Sequence, residues 1–111
     1  MKMKRLTKNK EFQAVYKYGK AHVGRYLVLY VLPRPGQGLR IGFTVGKKVG
    51  QAVKRNLIRR RVKEVHRQLL PMLTPGADLV LVVRPRALTV SFWVLKEELR
   101  HLYYRAGLLN N

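Results

Sequence analysis

Residues 47–67 carry nine lysines and arginines against a single acid, Glu64, and the same stretch holds apolar residues at helical intervals. Val53, Leu57, Ile58, Val62, Val65 and Leu69 predict a helix over 51–70 with one buried apolar stripe and an almost wholly cationic remainder. Along that remainder Arg55, Arg59 and Lys63 stand four residues apart, so like charges meet across successive turns and repel. The stripe therefore needs another element to cover it, and the cations need a polyanion. Both demands shape the rest of the reading.

Residues 1–25 add eight cations against Glu11, so these two segments carry fifteen of the nineteen net positive charges. A surface built for solubility intersperses both signs. This one segregates them, which makes nucleic acid the first expected partner and an anionic membrane surface the second. Hydrophobic residues make up 47% of the chain, enough for a folded core, and 111 residues suit one domain spanning 1–111. The absence of Cys excludes disulfides, thiolate zinc sites and a cysteine nucleophile. It fits a reducing cytosol, so a cytoplasmic location is expected. Met1-Lys2-Met3-Lys4-Arg5 leads into no apolar stretch of signal-peptide length. The run Leu79-Val80-Leu81-Val82-Val83 is too short to span a bilayer.

Phe12, Val15 and Tyr16 predict a helix over 9–19, stopped by Gly19 and capped by Thr7 or Asn9. Residues 26–32 are β-branched and aromatic and read as a strand. A turn-rich Pro33-Arg34-Pro35-Gly36-Gln37-Gly38 follows, then a second strand over 40–45, and the two are expected to pair as an antiparallel hairpin. A further short strand is placed within 19–25. Residues 78–84 read as a strand buried on both faces, and 91–105 as a closing helix with Phe92, Leu95, Leu99, Leu102, Tyr103 and Ala106 inward, ahead of a short tail over 108–111. On that helix Trp93 and Tyr104 are expected to be partly exposed. The expected class is α+β, an α/β sandwich with one sheet and helices against it.

Within the basic segments Phe12 and Tyr16 lie one helical turn apart among Lys8, Lys10 and Lys17. That arrangement suits stacking on unpaired bases. The same spacing suits a core-facing stripe, and Tyr30 carries the same two readings. A catalytic constellation is missing: the acids are scattered singly apart from Glu97 and Glu98, which as neighbours point to different helix faces. His22, His66 and His101 show no metal-ligand spacing, and no phosphate-binding glycine loop is present. Neither a catalytic residue nor a metal ligand is assigned to the protein.

The stretch Gly42-Phe43-Thr44-Val45-Gly46-Lys47-Lys48-Val49-Gly50-Gln51-Ala52-Val53-Lys54-Arg55-Asn56-Leu57-Ile58-Arg59-Arg60 closely resembles the signature of the bacterial ribonuclease P protein family. Glu11 to Gly19, Arg25 to Tyr30, Asp78 to Pro85 and the closing helix are similar to the rest of that family, so the resemblance covers nearly the whole chain. It implies a ribosomal-S5-domain-2-like sandwich of order α-β-β-β-α-β-α, with a left-handed β-α-β crossover. It implies an endoribonuclease that works as a ribonucleoprotein, in which a catalytic RNA subunit removes the 5′ leader of precursor tRNA. On the positions that match, Phe12, Tyr16 and Tyr30 would line the leader cleft, while Lys47, Lys48, Lys54, Arg55, Asn56, Arg59, Arg60 and Lys63 would meet RNA. Mg²⁺ is expected at the RNA active site, with no cofactor held firmly by the protein, no small-molecule substrate and no membrane partner. Two positions depart from the pattern. Leu57 stands where a third basic residue is usual, and is expected to pack; Gly46 stands where Ser is frequent.

The competing reading is a ribosomal or other structured-RNA binding protein indifferent to a tRNA leader. A DNA-binding regulator lacks the short helix that would precede a recognition helix. A membrane-surface helix fits worse, since residues 51–70 hold no Trp or Phe.

Overall fold

A computed structural model describes residues 3–109, and the elements follow in the order β1 (Lys4–Arg5), α1 (Asn9–Tyr18), β2 (Lys20–Val23), β3 (Leu27–Pro33), β4 (Leu39–Val45), α2 (Ala52–Leu69), β5 (Ala77–Val83) and α3 (Phe92–Arg105). Met1, Lys2 and the last two residues of the expected tail lie outside the described residues. The expected order is met, with one addition: β1, two residues long, pairs in parallel with β4.

The strands form one sheet in the order β1-β4-β5-β3-β2. The expected hairpin of β3 with β4 does not form. β5 lies between them, antiparallel to β3 and parallel to β4. The reason is in the composition of β5, which is apolar on both faces and buried along nearly all its length. Such a strand is stable with a neighbour at each edge and a layer on each side, and a β3–β4 hairpin would push it outward. The parallel β4–β5 pair makes α2 the crossover helix.

Leu27, Leu29, Val31, Ile41, Phe43, Leu79, Leu81 and Val83 point to one side of the sheet and meet Ile58, Val62, Val65 and Leu69 of α2 and Leu95, Leu99, Leu102 and Tyr103 of α3. The α2 stripe is narrower than expected. Val53 is 81% exposed and Leu57 43% exposed. At about 100° per residue, Leu57 sits a quarter-turn or more from Ile58 and Val53 further still, so both fall on the solvent side. Leu57 thus does not serve as the packing residue expected of it. On α3, Tyr103 is fully buried while Trp93 and Tyr104 stay exposed, as their spacing indicates.

Two local details fix the entries to the helices. Lys8, not Thr7 or Asn9, takes the cap position of α1. Glu11 turns back so that its Oε1 accepts from the backbone N–H groups of Thr7 (3.0 Å) and Lys8 (2.9 Å), satisfying donors that open the helix. Before α2, a single 3-10 turn at Lys47–Val49 ends on Gly50, whose φ of 151° is a conformation suited to glycine.

Candidate nucleic-acid interface

The second face of the sheet is only partly covered. Its register places three cross-strand rows side by side: Arg40–Asp78–Leu32, then Gly42–Val80–Tyr30, then Thr44–Val82–Val28. Helix α1 lies over the first two rows and leaves the third open. A groove results beside the helix, with a cavity of about 600 Å³ at the Arg40–Asp78 end, lined among others by Lys8, Glu11, Leu32 and Arg34.

The Arg40–Asp78 end is held by charge. Arg40 donates from Nε to Asp78 Oδ1 (2.8 Å) and from Nη2 to Oδ2 (2.7 Å), and its Nη1 donates to Glu11 Oε2 (2.7 Å). Arg34 adds a bond from Nη1 to Asp78 Oδ2 at 3.0 Å. One guanidinium thereby ties α1 to β5 through the two carboxylates. The backbone N–H of Lys8, that of Thr7 and then Arg40 hold the Glu11 carboxyl down at about 2. For Asp78 burial pushes upward, and the hydrogen bonds from Arg40 and Arg34 outweigh it, so the carboxyl is lowered and stays ionised.

The middle row is aromatic. Phe12 reaches across Gly42, which is possible because Gly42 has no side chain: a Cβ there would lie 2.3 Å from Phe12 Cε1. The rings of Tyr16 and Tyr30 meet edge-to-face at 5.0 Å, and the Tyr16 hydroxyl shares a 2.8 Å hydrogen bond with Thr44 Oγ1. All three aromatics pack on a small second core of Leu6, Val15 and Val80 and remain partly exposed. The two readings left open by their spacing are therefore both satisfied: each ring contributes to packing and each offers surface to the groove.

Lys47 and Lys48 are exposed just past the Thr44 end, in the turn that leaves β4. Around α2, Lys54, Asn56 and Arg60 are exposed and Arg55, Arg59 and Lys63 partly so. Arg59 Nη1 donates to Asn56 Oδ1 at 2.8 Å. Among the described residues, none of these cations has a carboxylate partner; the ion pairs use Arg34, Arg40, Arg67 and Arg100. Partial burial, and then the neighbouring charges of Arg5 and Arg59, lower the pKa of Lys63. Arg5 was missed by the sequence reading. Its strand β1 pairs with β4, its guanidinium sits 5.3 Å from the centroid of the Phe43 ring, and it joins the α2 cations through space rather than along the chain. Thr44 was missed too, since only the register shows that it faces Tyr16.

The remaining titratable groups are structural. Glu98 accepts from the backbone N–H groups of Arg25 (2.7 Å), Tyr26 (2.8 Å) and Leu27 (2.8 Å), pinning the turn into β3, while its neighbour Glu97 pairs with Arg100. His66 is buried beside Phe43, 2.6 Å from the Tyr103 hydroxyl, and burial holds its pKa down at about 4. Among the described residues no group of three metal-binding side chains comes together, and no helix is long and apolar enough to cross a membrane.

A five-stranded α/β sandwich with a partly covered aromatic groove on one face and unpaired cations on the crossover helix defines a small RNA-binding protein of the kind that serves a ribonucleoprotein. The family model for Ribonuclease P matches residues 1–107, and the chain belongs to that family. A ribonuclease P protein component from Shouchella clausii is 42% identical over 109 residues, covering 97% of this chain and 89% of its own. One from Desulforamulus reducens is 40% identical over 105 residues, covering 95% and 90%. The solved RNase P protein of Staphylococcus aureus superposes with a TM-score of 0.86 at 29% identity, covering 98% of this chain and all of its own. That of Thermotoga maritima gives 0.83 at 29% identity, covering 92% and 96%. The chain's function is that of a ribonuclease P protein subunit acting in tRNA processing.

Proposed function

We propose that the groove between α1 and the sheet receives the single-stranded 5′ leader of precursor tRNA, while the cations of α2 and of Lys47 and Lys48 contact the catalytic RNA subunit. The observation that carries this reading is the placement of Phe12, Tyr16 and Tyr30, all half-exposed, side by side on the sheet face that α1 covers only in part. An unpaired strand has what such a groove needs, base faces for the rings and phosphates for the cations. A duplex presents neither base face. Each stacked base contributes about 1–3 kcal/mol, so one or two suffice for roughly tenfold preference for precursor over product.

The reaction centre belongs to the RNA in this reading. The carboxylates of this chain are engaged: Glu11 and Asp78 by arginines, Glu98 by backbone N–H groups, Glu64 by Arg67 and Glu97 by Arg100. That donor set does not suit Mg²⁺, so the divalent ions are assigned to the RNA subunit. Lys and Arg from α2 reduce the phosphate repulsion where leader, tRNA and catalytic RNA converge, which lowers the Mg²⁺ the assembly requires.

The test is the affinity of the protein, assembled with the catalytic RNA, for one tRNA with and without its leader at fixed salt. A leader-dependent gain that needs the protein, and that Phe12→Ala removes, is the expected result. Equal affinity for both forms would leave a structured-RNA binding protein without leader specificity.

A further inference from the structure

The outer side of α3 carries four large exposed side chains in one line. At about 100° per residue, Trp93, Glu97, Arg100 and Tyr104 fall within about 60° of one another, opposite the buried Leu95, Leu99 and Leu102. Their spacing is four, three and four residues, so the line runs aromatic, acid, base, aromatic and is symmetric about its centre. Trp93, the chain's single tryptophan, is 69% exposed and Tyr104 67%, with Val94 and Val23 of β2 adding exposed apolar surface nearby. The rings have neighbours that hold them. Phe92 meets Trp93 edge-to-face at 5.1 Å, Lys96 Nζ lies 5.6 Å from the Trp93 centroid, and the His101 ring lies nearly parallel to Tyr104 at 6.4 Å.

We propose that this line docks a second copy of the chain, the two α3 helices packing antiparallel about a two-fold axis midway between Glu97 and Arg100. About that axis Trp93 of each copy meets Tyr104 of the other, and Glu97 of each meets Arg100 of the other. The Glu97–Arg100 pair, closed within one chain at 2.6 Å, then becomes an alternating ring of four charges. A two-fold interface demands such self-complementarity, because one surface must fit its own rotated image. Charge balance points to the same occupant. Residues 92–105 hold three cations against two acids, whereas 1–25 and 47–67 carry fifteen of the nineteen net positive charges. Two such cationic copies can approach through α3 and not through α2. Glu97 at the centre of the line disfavours a nucleic acid, and the charged pair disfavours a lipid surface. One helix pair flanked by Val23 and Val94 is a small interface, so the dimer is weak and reversible. The α1 groove lies across the sheet from α3 and stays open in the pair.

The experiment is sedimentation equilibrium of the full chain over a concentration series, in salt above about 0.15 M, where the screening length falls below about 8 Å. Trp93 emission is followed in parallel, and no second tryptophan obscures it. A monomer–dimer equilibrium is expected, with emission moving to shorter wavelength as concentration rises and the indole leaves water. Trp93→Ala should weaken the association roughly tenfold or more. Glu97→Arg and Arg100→Glu should each abolish self-association by setting like charges across the axis, with melting temperatures little changed. An equimolar mixture of these two variants should restore the dimer, which a purely structural role within one helix would not do. A chain that stays monomeric with constant emission overturns the proposal. A dimer that survives either charge variant, or that the mixture fails to restore, also overturns it and places the contact on another face. Emission that answers to added RNA and not to protein concentration overturns it too, and gives the line to nucleic acid.

Discussion

Phe12 of α1 closes over Gly42 of β4 so tightly that a Cβ on Gly42 would lie 2.3 Å from Cε1 and 2.4 Å from Cζ of the ring. The glycine is therefore what lets α1 sit down on the sheet and bring Phe12 into line with Tyr16 and Tyr30. Gly42→Ala should push the ring out of the groove. Overpacking of this kind costs about 1–3 kcal/mol, and at this chain length each kcal/mol lowers the melting temperature by about 4–8 °C. Leader-dependent affinity should fall with it, while affinity for the catalytic RNA alone holds. Thermal denaturation paired with the two affinities decides the matter; an alanine variant unchanged in both would mean that the ring is free to move aside.

Arg40 joins α1 to β5 through Glu11 and Asp78, and this makes that end of the groove sensitive to acid. Both carboxyls have pKa values depressed by folding, so their contribution is present above the unfolded pKa and is lost as pH falls through the folded one. For Glu11 that window runs from 4.5 down to about 2. Removing the guanidinium with Arg40→Met leaves Asp78 buried with Arg34 as its remaining partner and takes away two of its three hydrogen bonds, a loss of about 1–3 kcal/mol. The deficit should be largest near neutral pH and should narrow in acid, where Asp78 becomes protonated. Urea unfolding at a series of pH values gives both numbers. A deficit independent of pH would place the role of Arg40 in packing instead.

The cations of α2 should act separately and through salt. Arg59→Ala and Arg60→Ala are each expected to reduce the slope of log affinity against log salt by about one for a lost phosphate contact. Leu57 gives the converse test. It is 43% exposed among those cations, so Leu57→Arg removes no core contact of consequence and should steepen the slope by about one with little change in stability. Binding isotherms over a salt series measure all three variants. If Leu57→Arg destabilises the protein by as much as a core truncation, the side chain packs more than its exposure implies.

Element positions were legible because they depend on short-range signals: β-branched runs, the 3.6-residue stripe of α2, and glycines and prolines at the breaks. The cationic segment was legible for the same reason, since charge is counted along the chain. What escaped was the pairing of strands. The turn-rich 33–38 segment suits a hairpin, and nothing local says that β5, which begins only at Ala77, will insert between its arms. The misplacement of Val53 and Leu57 is of the same kind, because the width of a buried stripe is set by what it packs against. Arg5, Thr44 and the Glu11–Arg40–Asp78 bridge became functional candidates only through that register. Five acids scattered in sequence gave no sign that two of them share one arginine.

His66 and Tyr103 form the one polar contact between α2 and α3 that is fully enclosed, with Nδ1 and the hydroxyl 2.6 Å apart. Replacing either partner alone strands the other: His66→Phe leaves a buried hydroxyl and Tyr103→Phe a buried ring nitrogen, each costing about 1–3 kcal/mol. The double Phe variant strands neither, so its loss should be smaller than the sum of the two singles, and a double-mutant cycle by urea unfolding reads the difference. The histidine also gives the fold a second pH dependence, separable from that of Glu11. Burial holds its pKa at about 4 against an ordinary 6.5, so within that window the unfolded chain takes up a proton that the folded chain refuses. Stability must then fall as pH drops from about 6.5 toward 4, by an amount on the order of 3 kcal/mol at the foot of the window. The double variant should lose this slope and keep the one that Glu11 gives below it. A slope that survives in the double variant would assign the titration to another group.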